Sequence, residues 1–205
     1  MTTGLMRDAE GVERCWWPGD APDYLRYHDE EWGRPTADDT RLFEKIALEG
    51  FQSGLSWITI LRKRQNFRKA FAGFDPVRVA AFGARDVDRL LGDAGIVRHR
   101  GKIEATINNA ARVLDVVEEC GSLAALLWSF EPKPRRGKVR RENVPAHTEA
   151  SEAMAKALRK RGFRFFGPTT AYAFMQSMGM VNDHLHGCHW REVVEAERAA
   201  FERPG

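Results

Sequence analysis

Apolar residues recur along this chain at steps of three and four, and that periodicity constrains the fold more than any other feature. Ile103, Ile107, Ala110, Leu114 and Val117 follow one another at steps of four, three, four and three, which lines one face of an α-helix. Leu42, Phe43, Ile46 and Ala47 form an earlier stripe, and Trp57, Ile58 and Leu61, continued by Phe67 and Phe71, form another. No segment alternates with a period of two, so the expectation is an all-α chain. Local chemistry marks the helix ends. Asp75 before Pro76 reads as an N-cap with proline in the first turn, opening a short helix through Ala80. Asp86, Leu90 and Leu91 mark a helix ending at Gly92, and the long stripe stops at Gly121, after which Ser122 caps a short apolar segment through Phe130. A helix around Ser151 to Arg161 closes at Gly162, and another begins near Pro168 and stops before Gly179. Phe163, Phe165 and Phe166 are expected in the core.

A chain of 205 residues can bury one substantial core, and a single helical domain over residues 1–205 is expected. Flexibility is expected at the termini, residues 1–13 and 190–205, the charged tail after Trp190 reading either as a short helix or as a frayed end, and in the loop 131–147, where three prolines accompany the densest basic cluster. Hydrophobic residues at 43% and charged residues at 30% exclude a disordered or membrane protein, and no signal peptide is legible, so the expected compartment is the cytosol. Three cysteines are too few for a disulfide framework, which leaves metal or core roles in a reducing environment.

The net charge of +3 is modest but segregated. Arg98, Arg100 and Lys102 form one basic cluster, Lys133 to Arg141 a second and Lys156 to Arg164 a third, while Asp8 to Glu31 is acidic. Such segregation suits a protein with one face toward a polyanion. Leu90 to Ala111 reads as a short helix, a tight turn bearing Gly92 and Gly95, and a long helix behind Arg98-His99-Arg100-Gly101-Lys102. That pattern resembles a helix-hairpin-helix, in which backbone amides and a helix N-terminus meet phosphate without reading sequence; an ordinary helical hairpin fits the segment equally.

Cys15 and His28 near the start give C-x12-H, and His184 and Cys188 near the end give H-x3-C, the two-Cys two-His set that tetrahedral zinc accepts. If His184 and Cys188 lie on a helix, their spacing points both at one ion. His186 and His189 compete for the same role, and on spacing alone all four residues also serve as ordinary buried or surface groups. Four protein ligands describe a structural site rather than a catalytic one. A zinc deaminase is excluded, because H-x-E followed by P-C-x-x-C does not occur.

Several further stretches occur in order: Arg14-Cys15 with Trp17, Tyr24 through Tyr27-His28-Asp29, Glu31-Trp32-Gly33, Leu48-Glu49-Gly50, Gly54-Leu55-Ser56-Trp57-Ile58, Asp93-Ala94-Gly95-Ile96, Lys160-Arg161-Gly162-Phe163, Phe174-Met175-Gln176 and Val181-Asn182-Asp183-His184. With the Arg98 to Ile103 run they make the chain resemble the DNA-3-methyladenine glycosylase I family from about residue 14 to 188. The resemblance implies a helix-hairpin-helix glycosylase fold, with one structural zinc held by Cys15, His28, His184 and Cys188. It implies a monomer that takes 3-methyladenine out of alkylated double-stranded DNA by base flipping and hydrolyses its N-glycosidic bond. Tyr24, Tyr27, Glu49 and Trp57 are then expected to line the base pocket, with Glu49 the residue nearest the chemistry. Gly54 and Leu55 are expected to probe the gap left by the base, and Gly95, Arg98, Arg100 and Lys102 to meet the DNA backbone. Two other readings stand beside it: a noncatalytic DNA-binding module of the same fold, and a zinc-stabilised helical interaction protein that binds no nucleic acid.

Overall fold

A computed structural model describes residues 4–135 and 137–205. Residues 1–3 of the expected flexible N-terminus, and Arg136 of the basic loop, lie outside the described residues. Among the described residues the chain is mostly helical, with α1 at Pro22–Glu30, α2 at Asp39–Gln52, α3 at Trp57–Ala70, α4 at Pro76–Ala80 and α5 at Ala84–Gly92. There follow α6 at Arg100–Cys120, α7 at Leu123–Trp128, α8 at Glu149–Lys160, α9 at Pro168–Ser177 and α10 at Trp190–Ala200. None of these helices is long and apolar enough to cross a membrane.

The helix ends form where the local chemistry predicts. The Asp75 carboxylate accepts from the Val77 and Arg78 amides at 2.9 and 3.3 Å, and Ser122 Oγ accepts from the Ala125 amide at 2.9 Å. Asp39 adds a cap that only packing supplies: from the first turn of α2 its carboxylate accepts the Leu123 and Ala124 amides of α7 at 2.9 and 2.8 Å.

The core is organised around α2, whose residues from Leu42 to Phe51 are all buried. Helices α3, α6, α7 and α9 pack against it. Phe51, Phe67, Phe71 and Phe74 run as a row of rings with neighbouring centroids 4.7–6.3 Å apart, the last three stacked and Phe51 tilted against Phe67. Because α2 is enclosed, its charged side chains Glu44, Lys45 and Glu49 are enclosed too, and burial of charge demands partners.

Three expectations change. Leu5–Arg7 (β1) and Glu13–Cys15 (β2) pair antiparallel, placing Leu5 opposite Cys15; three-residue strands are too short for alternation to show in the sequence. Of the two readings of the segment after residue 190, the helix forms, and it is docked instead of flexible: buried Arg198 donates to the Gly179 and Met180 carbonyls at 2.7 and 3.0 Å and pairs with Glu131 at 3.1 Å. The loop 131–147 is likewise tied down where it is described, with Val139 packed beside Cys15, Leu185 and Cys188 and its carbonyl accepting from the His186 amide at 2.8 Å.

Candidate functional site

The N-terminal segment, α2 and the start of α3 enclose a cleft of about 260 Å³. Trp17, Tyr24, Tyr27 and Trp32 form one wall, Lys45 and Glu49 project from α2, Trp57 opens α3, and Gln176 and Asp183 complete the rim. Trp17 meets Tyr24 edge to face at 5.0 Å, Tyr27 lies tilted 5.5 Å from Trp57, and Tyr24 and Tyr27 stack at 6.4 Å. Tyr24, Tyr27, Glu49 and Trp57, predicted to line one pocket, therefore do meet in one place. Burial, reinforced by the nearby Glu49 carboxylate, pushes the Tyr24 hydroxyl up to about 12 and raises buried Tyr27 well above the ordinary phenol value, so both remain neutral donors.

Sequence reasoning missed Lys45. Its ammonium lies 2.7 Å from Glu49 Oε1, donates to Tyr27 Oη at 3.0 Å and sits 3.3 Å from the Trp57 ring centroid. A Lys–Glu pair four apart, flanked by Phe43, Ile46 and Leu48, was the available signal; a charge inside an apolar run of a buried helix seeks an internal partner. Asp183 was noticed only as part of a motif. Its carboxylate accepts from Tyr172 Oη at 2.5 Å and Gln176 Nε2 at 2.9 Å, and it separates this cleft from a larger one of about 390 Å³ under the basic loop.

Beyond the cleft, the connection between α2 and α3 is an exposed turn. Gly54 has φ +84°, a left-handed conformation that favours glycine, and Leu55 beside it is 42% exposed. Between α5 and α6 the chain makes a tight turn in which the Gly95 amide donates to Asp93 Oδ1 at 2.7 Å. A Cβ on Gly95 would stand 2.9 Å from that oxygen and 3.1 Å from Asn66 Nδ2, so a larger residue there would have to displace the Asp93 side chain from the turn. His99 caps α6, its Nδ1 accepting from the Lys102 amide at 3.2 Å. Arg98 and Arg100 are exposed, and Arg100 pairs loosely with Asp88 and Glu104.

Lys102 does not belong with them. Its side chain is buried, and Nζ donates to the Phe51 and Ser53 carbonyls at 2.9 and 2.6 Å. Those carbonyls lie at the C-terminal end of α2, where partial negative charge collects, so the ammonium braces the Leu55 turn instead of facing solvent. Phe165 departs in the other direction: expected in the core, it is 46% exposed, at φ +54°, with its ring 6.1 Å from His99 and against Gly101. Arg159 and Arg164 flank it, so this side of the molecule gathers basic and apolar groups around the two turns.

Cys15, His28, His184 and Cys188 come together in a buried cluster whose ligand atoms all lie within 4.8 Å of one another, a group that could hold a metal ion. His186 and His189, the competing residues, are exposed. The outer contacts orient the imidazoles. His28 Nδ1 meets Asp29 Oδ1 at 2.8 Å, leaving Nε2 toward Cys188, and His184 Nε2 meets the Trp32 carbonyl at 3.2 Å, leaving Nδ1 toward both sulfurs. Arg14 clamps Asp29 in turn, and the Leu185 amide donates to Cys15 Sγ at 3.3 Å. The adjoining Cys15 thiol and the two imidazoles hold the Cys188 thiol below its usual value, while Cys188 and burial raise Cys15. His184 and Cys188 do not share a helix. They bracket a turn at Gly187, φ +97°, and α10 starts only at Trp190, so the turn rather than helical spacing aims them together.

The chain matches the methyladenine glycosylase family over residues 17–192. It is 51% identical over 180 residues to DNA-3-methyladenine glycosylase 1 of Escherichia coli, covering 86% of this chain and 96% of that protein. It is also 51% identical over 178 residues to a DNA-3-methyladenine glycosylase of Haemophilus influenzae, covering 85% and 96%. Among solved structures, a crystal structure of 3-methyladenine DNA glycosylase I superposes with a TM-score of 0.83 at 50% identity, over 86% of this chain and 98% of that one. A variant of 3-methyladenine DNA glycosylase I, crystallised in complex with 3-methyladenine, superposes equally well, 0.83, at 36% identity over 87% and 97%.

Proposed function

Because the chain belongs to the methyladenine glycosylase family, we propose that it hydrolyses the N-glycosidic bond of 3-methyladenine in alkylated DNA and releases the free base. The observation that carries this reading is an aromatic cleft holding a buried carboxylate, Glu49, beside two exposed turns ringed by arginines. The α5-turn-α6 unit acts as the helix-hairpin-helix: the α6 N-terminus and the Gly95 turn receive a phosphate, and Arg98 and Arg100 add charge without reading bases. The Gly54–Leu55 turn enters the gap left by the extruded nucleotide, Leu55 as an apolar wedge and Gly54 allowing close backbone approach. Lys102 contributes by holding that turn.

A base cannot be reached while stacked, so the lesion is rotated into the cleft, where Tyr24, Tyr27 and Trp57 supply ring contacts and Glu49 an acceptor for the exocyclic amine. Methylation at N3 leaves the ring cationic and makes it a good leaving group, so the demand on the protein falls on recognition and on stabilising the charge that develops on the sugar.

The buried cluster holds one zinc ion through Cys15, His28, His184 and Cys188. Two sulfurs and two oriented imidazole nitrogens fit that ion, and four ligands leave it a structural role. It joins the two ends of the domain. The protein works as a monomer on double-stranded DNA in the cytosol. Incubation with methylated duplex DNA followed by chromatography of released bases tests the reading: free 3-methyladenine is expected. Tight, salt-dependent DNA binding without base release would replace it with a noncatalytic helix-hairpin-helix module.

A further inference from the structure

Phe165, in the loop between α8 and α9, holds a large ring toward solvent on an unfavourable backbone. Its φ of +54° is left-handed, an outlier for a bulky side chain, and the residue is 46% exposed. Phe74 adopts a similar φ of +59°, but its ring is wholly buried and core packing offsets the strain. No such burial serves Phe165, so the conformation is imposed by its connections. Asn109 of α6, itself buried, donates to the Arg164 carbonyl at 2.9 Å and accepts from the Arg164 amide at 2.8 Å, and Asn108 donates to the Gly162 carbonyl at 2.8 Å. Phe163 and Phe166 anchor the same segment in the core. Gly50 of α2 lies directly beneath, where a Cβ would stand 3.3 Å from the Phe165 carbonyl oxygen. Strain that a rigid frame maintains around an exposed group points to a contact with something outside the protein.

The surroundings identify that contact. Phe165 lies in an open groove of about 420 Å³ with exposed Arg159 and Arg164, and Ser53 of the Leu55 turn forms one side. His99 and Gly101, at the start of α6, stand on the other. The base cleft is reached from the far side of the turn, through Gln52 and Trp57. With Leu55 in the gap and a phosphate on the α6 N-terminus, one strand of DNA must run from one to the other, and the ring lies on that path. The geometry points to Phe165 as a sugar contact: its ring packs against the deoxyribose of the lesion strand between the gap and that phosphate, and selects deoxyribose over ribose there. The inference rests on the glycosylase reading above for the course of the strand. A wedge such as Leu55 enters through the minor groove, the groove into which a 2′-hydroxyl projects. A phenyl ring offers that hydroxyl no hydrogen bond, so it would lose water without gaining a partner, which lowers a binding constant by about fivefold or more. The same contact fixes the spacing between the phosphate grip and the wedge, which makes Phe165 a positioning residue for extrusion.

A duplex carrying a tetrahydrofuran residue, a stable stand-in for the emptied sugar, is the probe. Single riboses are placed in turn at the nucleotides neighbouring it on either strand, and fluorescence anisotropy gives the affinity of wild type, Phe165→Ala and Phe165→Gly for each duplex. Wild type should lose about fivefold or more at one lesion-strand position beside the gap. Both variants should bind the all-deoxy duplex more weakly, lose most of that response to ribose, and keep wild-type affinity for free 3-methyladenine. Phe165→Gly also relieves the left-handed backbone and should melt close to wild type, which separates loss of the ring from loss of the fold. Wild type indifferent to ribose at every position, a response confined to the opposite strand, or a response undiminished in both variants would overturn the proposal. A wild type that discriminates the ribose yet releases no 3-methyladenine from methylated DNA would uphold the sugar contact and remove the glycosylase reading.

Discussion

Replacing Glu49 by Gln keeps the shape of the side chain and removes its charge, which leaves the Lys45 ammonium buried without a carboxylate. The pair is 2.7 Å apart with both side chains 7% exposed or less, and removing one partner of such a pair costs about 3–5 kcal/mol. The Tyr27 hydroxyl at 3.0 Å and the Trp57 face at 3.3 Å stay in place, and the Gln carbonyl oxygen can still accept, so the lower end applies, about 3 kcal/mol. For a domain of this size that lowers Tm by roughly 6–12 °C. The deficit depends on pH with a definite sign. Burial lowers the pKa of Lys45 from 10.5, with Glu49 opposing the shift, and in Glu49→Gln that opposition is lost, so the pKa falls further. A lysine with a lowered folded pKa costs stability in full below that pKa, and the cost vanishes as pH approaches the unfolded value of 10.5. Urea unfolding should therefore show Glu49→Gln well below wild type at pH 7 and closer to it at pH 9.5. The double variant Lys45→Met/Glu49→Gln should recover most of the loss, because an apolar pair needs no compensation. A Glu49→Gln protein as stable as wild type at pH 7, or a deficit that widens as pH rises, would refute the reasoning. Excision by Glu49→Gln should be impaired even at the pH where its fold is secure.

Metal analysis should return about one zinc per chain, and chelation or Cys188→Ser should lower Tm before it alters base binding; equal stability with and without metal would remove the staple. Lys102→Met should cost about 2 kcal/mol of stability through lost charge-assisted bonds and leave the salt dependence of DNA binding unchanged, whereas Arg98→Ala should weaken damaged and undamaged duplex alike and reduce the salt slope by about one. Leu55→Ala should bind free 3-methyladenine normally and excise poorly from duplex, while Trp57→Ala should lose about 1–3 kcal/mol in free-base binding as well, so the two are separated by assaying both.

Much of the architecture is written in near-neighbour chemistry. The step of three and four from Ile103 to Val117 requires a helix because those side chains share a face, and Asp75-Pro76 and Ser122 start helices because they satisfy amides one turn away. The Cys15, His28, His184, Cys188 set stood out as candidate ligands because few side chains hold a metal, with ordinary buried or surface roles equally open until the family resemblance chose among them, and Tyr24, Tyr27, Glu49 and Trp57 were reached through that resemblance alone. What lay beyond reach depends on partners distant in the chain. Lys102 and Arg98 look alike in one basic run, yet Lys102 turns inward because the end of α2, about fifty residues earlier, offers it two carbonyls. Phe165 looks like Phe163 and Phe166, yet a backbone at φ +54° points it outward beside His99. Lys45 looks like a solvated helical lysine until α3 and the N-terminal aromatics close over α2. Periodicity records which face of a helix is apolar, whereas the fate of a charge is set by whichever donors and acceptors packing brings within about 3 Å, and only the tertiary structure decides that.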